Sequence, residues 1–262
     1  MRRVGSRGTD GDYGEYDGTL DNDCIDDSMG LIADWYDDHA PNGSTFLVDG
    51  KLLYMTPSQR RKILRLLGVV FCHTFQIVVD ILHRKVQGNP SGNPITVIIN
   101  SMCGEEYLLC VFLTLAMTFR RTEYYSLDKY EEEVADMIFG DDNGITATEP
   151  VLEWFNPSTI SKQFEELGIK YTSADKSGEC QLKTVDELRF LKCGFVGHPD
   201  YPDRKLATLD EKSIYELTNW IRKCPDEVEQ LRTQLGNALR FAYFHGLRFY
   251  EELRTLINRA IS

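Results

Sequence analysis

The chain has 262 residues, which is enough to bury a substantial core in one large domain or two small ones. It carries 29 Lys and Arg against 41 Asp and Glu, and this net charge of -12 argues against a nucleic-acid coat protein or a membrane-surface binder. Seven cysteines with no Cys-x-x-Cys pair predict reduced thiols in a cytosolic setting. The longest apolar run, residues 66–82, is interrupted by polar residues and predicts core rather than a transmembrane segment.

The chain begins with two segments of different character. Residues 1–9 show no periodicity and are predicted to form a disordered arm. Asp12 and Asp17 follow in an acidic stretch punctuated by glycines. A strand that ends near Tyr13 and a helix that begins after Asp17 would turn both carboxylates into one cleft. The alternative, which this stretch taken alone favours, is an acidic surface loop.

Between residues 23 and 86 the pattern predicts two helices and two hairpins. Apolar residues recur at helical spacing over 23–36, and a second helix begins at Thr56-Pro57. Asp49-Gly50 lies between two apolar runs and predicts a tight hairpin, and a shorter hairpin is predicted over 77–86. The second helix carries a basic cluster, expected to be solvated or to meet phosphate, of Arg60, Arg61, Lys62 and Arg65.

A loop rich in turn-forming residues precedes a long apolar helix that is predicted over 95–119. Thr96 and Asn100 lie four residues apart and therefore share one face of this helix, and Ser91 and Gly92 come just before it. N-cap and turn roles explain Ser91 and Gly92. They do not explain a hydroxyl and an amide on one face of an otherwise apolar helix, so all four are candidate binding residues.

Two adjacent carboxylates are predicted at the tip of a hairpin. Residues 134–139 run apolar into a predicted turn over 140–144, and a β-branched run resumes at Ile145. Side chains alternate along a strand, so Asp141 and Asp142 cannot face one partner equally, and Asp141 is predicted to be the principal ligand. Adjacent carboxylates repel unless a cation lies between them, and a hard divalent ion is the usual solution. An ordinary acidic turn is an equal alternative on this stretch alone.

The remaining residues alternate helices and strands and then become helical. A helix is predicted from Asn156 to Gly168, a strand over 169–172, an exposed turn over 174–178 and a strand pair over 190–196. The last part of the chain is predicted to form three helices, from Asp210 to about 222, 225–244 and 247–261.

Together, five motifs resemble motifs A to E of viral RNA-dependent RNA polymerases in their order and spacing. They are Asp12-x4-Asp17, Ser91-Gly92-x3-Thr96-x3-Asn100, Gly140-Asp141-Asp142, Ala174-Asp175-Lys176 and Phe190-Leu191-Lys192. The resemblance covers about residues 10–260 and is to the picornavirus-like branch. Within that branch, residues 88–94 and 35–38 are similar to the dicistrovirus and marine picorna-like enzymes.

The resemblance implies a two-metal catalytic site. Asp12 and Asp141, assisted by Asp142, would hold two divalent ions, Mg²⁺ or Mn²⁺. These ions would lie about 4 Å apart and would activate the primer 3′-hydroxyl and hold the triphosphate. Lys176 would be the general acid that protonates pyrophosphate.

The resemblance also implies how the substrates are held. Asp17, Ser91 and Asn100 would read the ribose hydroxyls of the incoming nucleotide, because a 2′-hydroxyl both donates and accepts hydrogen bonds. Thr96 would support this set, and Gly92 would let its loop flex during translocation. The primer-grip strand pair would contain Phe190, Leu191 and Lys192.

The implied fold class is α+β: a right-hand polymerase palm with a central antiparallel sheet (an RRM-like core) flanked by helices, plus a partial helical thumb. The palm is predicted over 10–205, with a middle-finger-type insertion at about 37–86, and the thumb portion over 206–262. Because these polymerases carry a long, partly basic segment before motif A, the fingers are expected to be largely missing here. Their absence would account for the acidic net charge.

The implied partners are an RNA template-primer, rNTPs, other viral replication proteins and a protein primer, with no transmembrane segment in the chain. The implied location is the host-cell cytoplasm, in membrane-associated replication complexes. Two alternatives stay open. A reverse-transcriptase-like palm polymerase would use dNTPs, and a truncated, non-catalytic palm would keep the fold and bind only metal or RNA.

Overall fold

The protein, in a computed structural model, is described over residues 4–90, 92, 94–174, 178, 180–198, 201–202, 204–219 and 223–261. Its strands are β1 (Arg7–Tyr13), β2 (Ser44–Val48), β3 (Lys51–Met55), β4 (Phe75–Val78), β5 (Ile81–Arg84), β6 (Val134–Phe139), β7 (Asp142–Ala147), β8 (Tyr171–Ser173), β9 (Lys183–Thr184), β10 (Cys193–Gly197) and β11 (Lys205–Leu209). Its helices are α1 (Tyr16–Thr19), α2 (Asn22–His39), α3 (Pro57–Cys72), α4 (Thr96–Thr118), α5 (Leu127–Glu133), α6 (Glu149–Leu152), α7 (Pro157–Glu166), α8 (Glu211–Glu216), α9 (Glu227–Tyr243) and α10 (Leu247–Ile261).

The centre of the fold is an antiparallel sheet in the order β6-β7-β1-β8, with β9 also paired to β1. Strand β1 lies in its middle because it pairs with β7 from Arg7 to Asp12 and with β8 over its last three residues. The predicted disordered arm is wrong for the part of it within β1, since Arg7 pairs with Ala147 and Thr9 is buried. The expected α+β architecture with a central antiparallel sheet is confirmed.

Helix α4 forms the core of this part of the molecule. Its Ile99, Leu108 and Phe112 are fully buried, and the Phe112 ring lies 5.1 Å from Trp154 and 5.3 Å from Phe155 between ring centroids. Of the helices in the described ranges, only α4 is long and apolar enough to cross a membrane by length and composition. Burying such side chains stabilises the fold by about 1.5–3 kcal/mol each.

The segment between α2 and α4 forms two separate hairpins that project apolar side chains outward. The predicted turn at Asp49-Gly50 is confirmed, with both residues at positive φ (48° and 76°) as a tight hairpin turn requires. The second hairpin, β4–β5, turns at Val79-Asp80. Several large apolar side chains of these hairpins are exposed, namely Leu47, Leu52, Leu53, Phe75, Ile77, Val79, Ile81 and Leu82.

Arg60 ties this segment to α2. Its guanidinium donates to the backbone oxygens of Tyr36 (3.0 Å) and Ala40 (3.2 Å), to Asp37 Oδ1 (2.8 Å) and to Ser44 Oγ (2.9 Å). The residue is only 3% exposed. The expectation that Arg60 is solvated or meets phosphate is therefore wrong, because its charge is used to cap the C-terminal end of α2.

We expect Arg60→Met to lower the free energy of unfolding by about 2–3 kcal/mol, since it removes all the hydrogen bonds that this buried guanidinium donates to part-buried acceptors around the end of α2. Urea unfolding followed by circular dichroism measures the change. The matched control is Arg61→Met on the same helix, whose half-exposed guanidinium bonds only the Asp34 and Asp37 carboxylates. Equal losses in the two variants would contradict the buried role of Arg60.

The C-terminal elements form a second apolar cluster. It contains Ile214 of α8, Ala238 and Ala242 of α9, and Phe249 and Leu253 of α10. Helix α8 ends at Glu216 rather than near residue 222 as predicted, because residues 217–219 form a turn. The palm–thumb boundary at 205/206 stays a prediction, and β11 spans it.

Candidate active site

Asp12 and the Asp141-Asp142 pair meet where β1 and β7 lie side by side. In the β1–β7 pair, Asp12 lies opposite Asp142. In the β6–β7 pair, Phe139 lies opposite Asp142, so the turn between these strands consists of Gly140 and Asp141 alone. The predicted turn over 140–144 is therefore too long, and β7 already begins at Asp142. Directly opposed residues of an antiparallel pair point to the same face, which puts Asp12 and Asp142 on one side of the sheet.

An open cavity of about 410 Å³ collects three of the predicted acidic residues. Asp12, Asp17 and Asp141 line it, together with the chain from Tyr13 to Gly18. Asp141 is exposed, and Asp12 and Asp142 are half-buried. Asp12 and Asp17 thus face one cleft, as predicted, although α1 begins at Tyr16 rather than after Asp17.

The donor set of this cavity fits a hard divalent cation, because its side-chain ligands are carboxylates. Within the described ranges, no three His, Cys, Asp or Glu side chains are close enough to hold a metal ion by themselves. Mg²⁺ typically takes only one or two carboxylates from the protein, with water and substrate phosphates completing its shell. The residues present therefore fit an ion that binds together with a triphosphate, and the two-ion assignment stays a prediction.

Asp17 and Asn100, which the resemblance placed in one set, are joined directly. Asn100 Nδ2 donates to Asp17 Oδ1 at 2.5 Å, and the backbone oxygen of Asn100 accepts from the Tyr16 hydroxyl at 2.9 Å. Thr96 bonds the preceding loop instead, since its hydroxyl donates to the Pro90 backbone oxygen at 2.9 Å. Gly92 is exposed with φ +88°, whereas Ser91 lies outside the described residues. Lys176 lies outside them as well.

Asn89 belongs to this cluster although the sequence did not single it out. It is 2% exposed, and its Nδ2 donates to Asn100 Oδ1 at 2.9 Å and to the Thr96 backbone oxygen at 3.3 Å. In the sequence it looks like one more turn former among several. No local signal tells a buried loop asparagine from an exposed one.

Lys85 is a second unpredicted neighbour, at the end of β5. Burial lowers the pKa of Lys85, whereas Cys72 and the Asp17 carboxylate oppose that shift. Its ammonium nitrogen is buried and makes no hydrogen bond with the described residues. Lys85 is therefore close enough to Asp17 to interact electrostatically with its carboxylate.

A layer of buried tyrosines supports the strands that carry the carboxylates. The Tyr13 and Tyr16 rings stack at 4.5 Å, and the Tyr171 hydroxyl donates to Asn143 Oδ1 at 2.5 Å. Burial raises the pKa of Tyr13 and Tyr171, so both stay neutral. A Cβ at Gly11 would lie 2.0 Å from the Tyr171 hydroxyl oxygen, so this packing requires glycine between Asp10 and Asp12.

The strand pair predicted over 190–196 is present only from Cys193, where β10 pairs with β11, and the three predicted primer-grip residues form a tight turn before it. Phe190 pairs with Cys193, and Leu191 and Lys192 between them adopt positive φ (52° and 61°), so the strand β10 begins only at Cys193. The backbone oxygen of Lys192 accepts from Asp210 N at 3.1 Å. Positive φ excludes an extended chain at Leu191 and Lys192, which corrects the predicted strand.

Asp10 connects this turn to the strand of Asp12. It is fully buried, and its carboxylate accepts from Lys183 Nζ at 2.7 Å and from Arg189 N at 2.8 Å. The sequence analysis missed Asp10. Its position two residues before Asp12 was the available signal, because alternate residues of a strand share a face.

Comparisons with known proteins found a matching family and similar viral proteins. The family model described as "Viral RNA-dependent RNA polymerase" matches residues 1–261. The chain is 30% identical over 261 residues to the replicase polyprotein of cricket paralysis virus, covering 98% of the chain and 14% of the polyprotein. It is 31% identical over 186 residues to the replicase polyprotein of Drosophila C virus, covering 71% of the chain and 10% of the polyprotein.

A solved structure has the same fold. The "Sicinivirus 3Dpol RNA dependent RNA polymerase" superposes with a TM-score of 0.71 at 18% identity, covering 95% of this chain and 45% of that one. This chain thus spans less than half of that polymerase and a small part of the viral polyproteins.

Proposed function

Because the chain belongs to the viral RNA-dependent RNA polymerase family, we propose that it supplies the palm and part of the thumb of an enzyme that copies RNA from rNTPs. The observation that carries the proposal is the cavity in which Asp12 and Asp141 lie with Asp17, which is itself bonded to Asn100. Carboxylates for cations and a carboxylate–amide pair for a sugar hydroxyl are what nucleotidyl transfer to RNA requires.

Two Mg²⁺ or Mn²⁺ ions are the proposed cofactors; when bound, they activate the primer 3′-hydroxyl and neutralise the triphosphate and leaving group. Asp12 and Asp141 would hold them, with Asp142 assisting from the same sheet face as Asp12. An ionised carboxylate repels a triphosphate, so cations are needed before this acidic cavity can accept a nucleotide.

Asp17 and Asn100 would orient the ribose, since a carboxylate accepts from a hydroxyl and an amide N–H donates to it. Ser91 is proposed to complete this set. Lys176 is proposed to give a proton to the leaving pyrophosphate. The turn at residues 190–192 would position the primer, attached through Asp10 to the strand of Asp12.

The setting of the enzyme is proposed from its resemblance to picornavirus-like polymerases. We propose an RNA template-primer, other viral replication proteins and a protein primer as its partners, in membrane-associated complexes of the host-cell cytoplasm. Co-purification of the chain with such membranes from infected cells tests this location, and its recovery only in the soluble fraction would contradict it.

Extension of a primed RNA by one nucleotide tests the activity. We expect extension with rNTPs in Mg²⁺ or Mn²⁺, loss of extension in EDTA, and a preference for rNTPs over dNTPs of about 100-fold or more. Comparable incorporation of dNTPs would favour a reverse-transcriptase-like palm. No extension in either metal, with metal or RNA still bound, would favour a non-catalytic palm.

A further inference from the structure

We propose that Asn89 is a positioning residue for ribose selection, which holds the side-chain amide of Asn100 in the one orientation that donates to Asp17. The proposal rests on the proposed polymerase function and adds a specificity residue to it. Asn89 bonds Asn100, and Asn100 bonds Asp17, which lines the cavity. Both asparagines are buried, at 2% and 3% exposed, so Asn89 would act through Asn100.

The backbone around Asn89 is fastened to the segment that carries Asp17. Asn89 N donates to the Asp17 backbone oxygen at 2.7 Å, and Gly88 N donates to the Leu20 backbone oxygen at 2.7 Å. Gly88 has φ +88°, and a Cβ there would lie 2.4 Å from the Asp17 backbone oxygen. The close approach that only glycine allows therefore brings Asn89 within hydrogen-bond distance of both Asp17 and Asn100.

Because Asp17 is a carboxylate, it determines which side-chain atoms of Asn100 and Asn89 donate and which accept. An ionised carboxylate accepts and never donates, so Asn100 must present its Nδ2 to Asp17. The Asn100 Oδ1 then points to Asn89, which must present its own Nδ2. The second N–H of Asn89 reaches the Thr96 backbone oxygen, which can only accept. Reversing the Asn89 amide would place two carbonyl oxygens 2.9 Å apart, so the arrangement has a single consistent direction.

The orientation of the Asn100 amide affects how well the site distinguishes ribose from 2′-deoxyribose. With Nδ2 held on Asp17, Asn100 has a second N–H on the same nitrogen to donate to a hydroxyl. If the Asn100 amide rotated by half a turn, its oxygen would face the Asp17 carboxylate and the two would repel. A ribose 2′-hydroxyl would then lose the donor, whereas a 2′-deoxyribose would lose nothing.

Two substitutions at Asn89 separate this role from general support of the loop. Asn89→Leu keeps the size and removes the donor, and Asn89→Asp keeps the shape but presents only acceptors to Asn100. We expect kcat/KM for an rNTP to fall about tenfold in Asn89→Leu, and further in Asn89→Asp, while kcat/KM for the matching 2′-dNTP stays within about twofold. The rNTP:2′-dNTP ratio therefore falls in both variants.

The matched control is Asn22→Leu. Asn22 Nδ2 donates to the Val86 backbone oxygen at 2.8 Å, so it fastens the same part of the chain through a different hydrogen bond. We expect the rNTP:2′-dNTP ratio of this variant to equal that of the unmodified chain. An equal loss for both sugars in the Asn89 variants would mean a merely structural role and would overturn the proposal.

A second measurement does not depend on activity. In ¹⁵N-labelled full-length chain, NMR follows the side-chain NH₂ of Asn100, which is hydrogen-bonded to Asp17 in the folded protein. Faster hydrogen exchange at this group is expected in Asn89→Asp and Asn89→Leu but not in Asn22→Leu. Unchanged exchange in folded Asn89→Asp overturns the proposal. If the unmodified chain fails to discriminate between the sugars, the proposed function fails, and the NMR result still decides the positioning role.

Discussion

Asp141→Asn is expected to lower the rate of primer extension in Mg²⁺ by about 10²- to 10³-fold. Asn has the shape of Asp without its charge, so the cavity shared with Asp12 loses a carboxylate ligand for a divalent ion. Stabilisation of developing charge is usually the largest catalytic term, and loss of one such group costs about 3–4 kcal/mol. Single-turnover extension at saturating rNTP measures the rate, and Mn²⁺ binding followed by EPR should weaken in parallel.

Asp80→Asn is the matched control for this substitution. Asp80 is exposed at the second position of the two-residue turn of β4–β5, the position that Asp141 holds in the β6–β7 turn. It is expected to leave extension and Mn²⁺ binding unchanged. If Asp141→Asn were as active as Asp80→Asn, the catalytic assignment of the hairpin would have to be withdrawn, and with it the two-metal proposal.

Lys183→Met is expected to lower the free energy of unfolding by about 3 kcal/mol. The Lys183 ammonium is mostly buried and bonds Asp10, which is fully buried in the central strand β1. Methionine keeps the apolar stem, but it leaves a buried carboxylate without its counter-charge, and breaking a buried pair in this way typically costs about 3–5 kcal/mol. Urea unfolding at neutral pH measures the loss.

Lys205→Met serves as the control for this ion pair. Lys205 Nζ lies 2.5 Å from Asp186, but both side chains are substantially exposed, so the pair should contribute less than about 1 kcal/mol. Equal destabilisation by the two substitutions would show that burial of Asp10 does not set the energy. Because Asp10 also accepts from Arg189 N, Lys183→Met should in addition loosen the turn at residues 190–192, which NMR can follow.

The sequence by itself determined the local elements and the order of the carboxylates. The helical spacing over 23–36, the Asp49-Gly50 turn signal and the Thr56-Pro57 helix start depend only on residues near one another, and each is confirmed. The same holds for the hairpin that carries Asp141, although its turn is shorter than predicted. Asp12, Asp17 and Asn100 were identified because their types and spacing resemble family motifs, and the structure brings them together.

Tertiary structure decided the roles of the polar residues that link one element to another. Whether Arg60 is exposed or buried depends on partners that are distant in sequence. The same is true of Asn89, which is either an ordinary loop residue or a hydrogen-bond partner of Asn100. Two hydrogen bonds to distant residues hold the turn at 190–192 at its ends. Arg189 N donates to Asp10, and Asp210 N donates to the Lys192 backbone oxygen. Burial forces each such group to find a partner, and only the folded chain determines which partner is within reach.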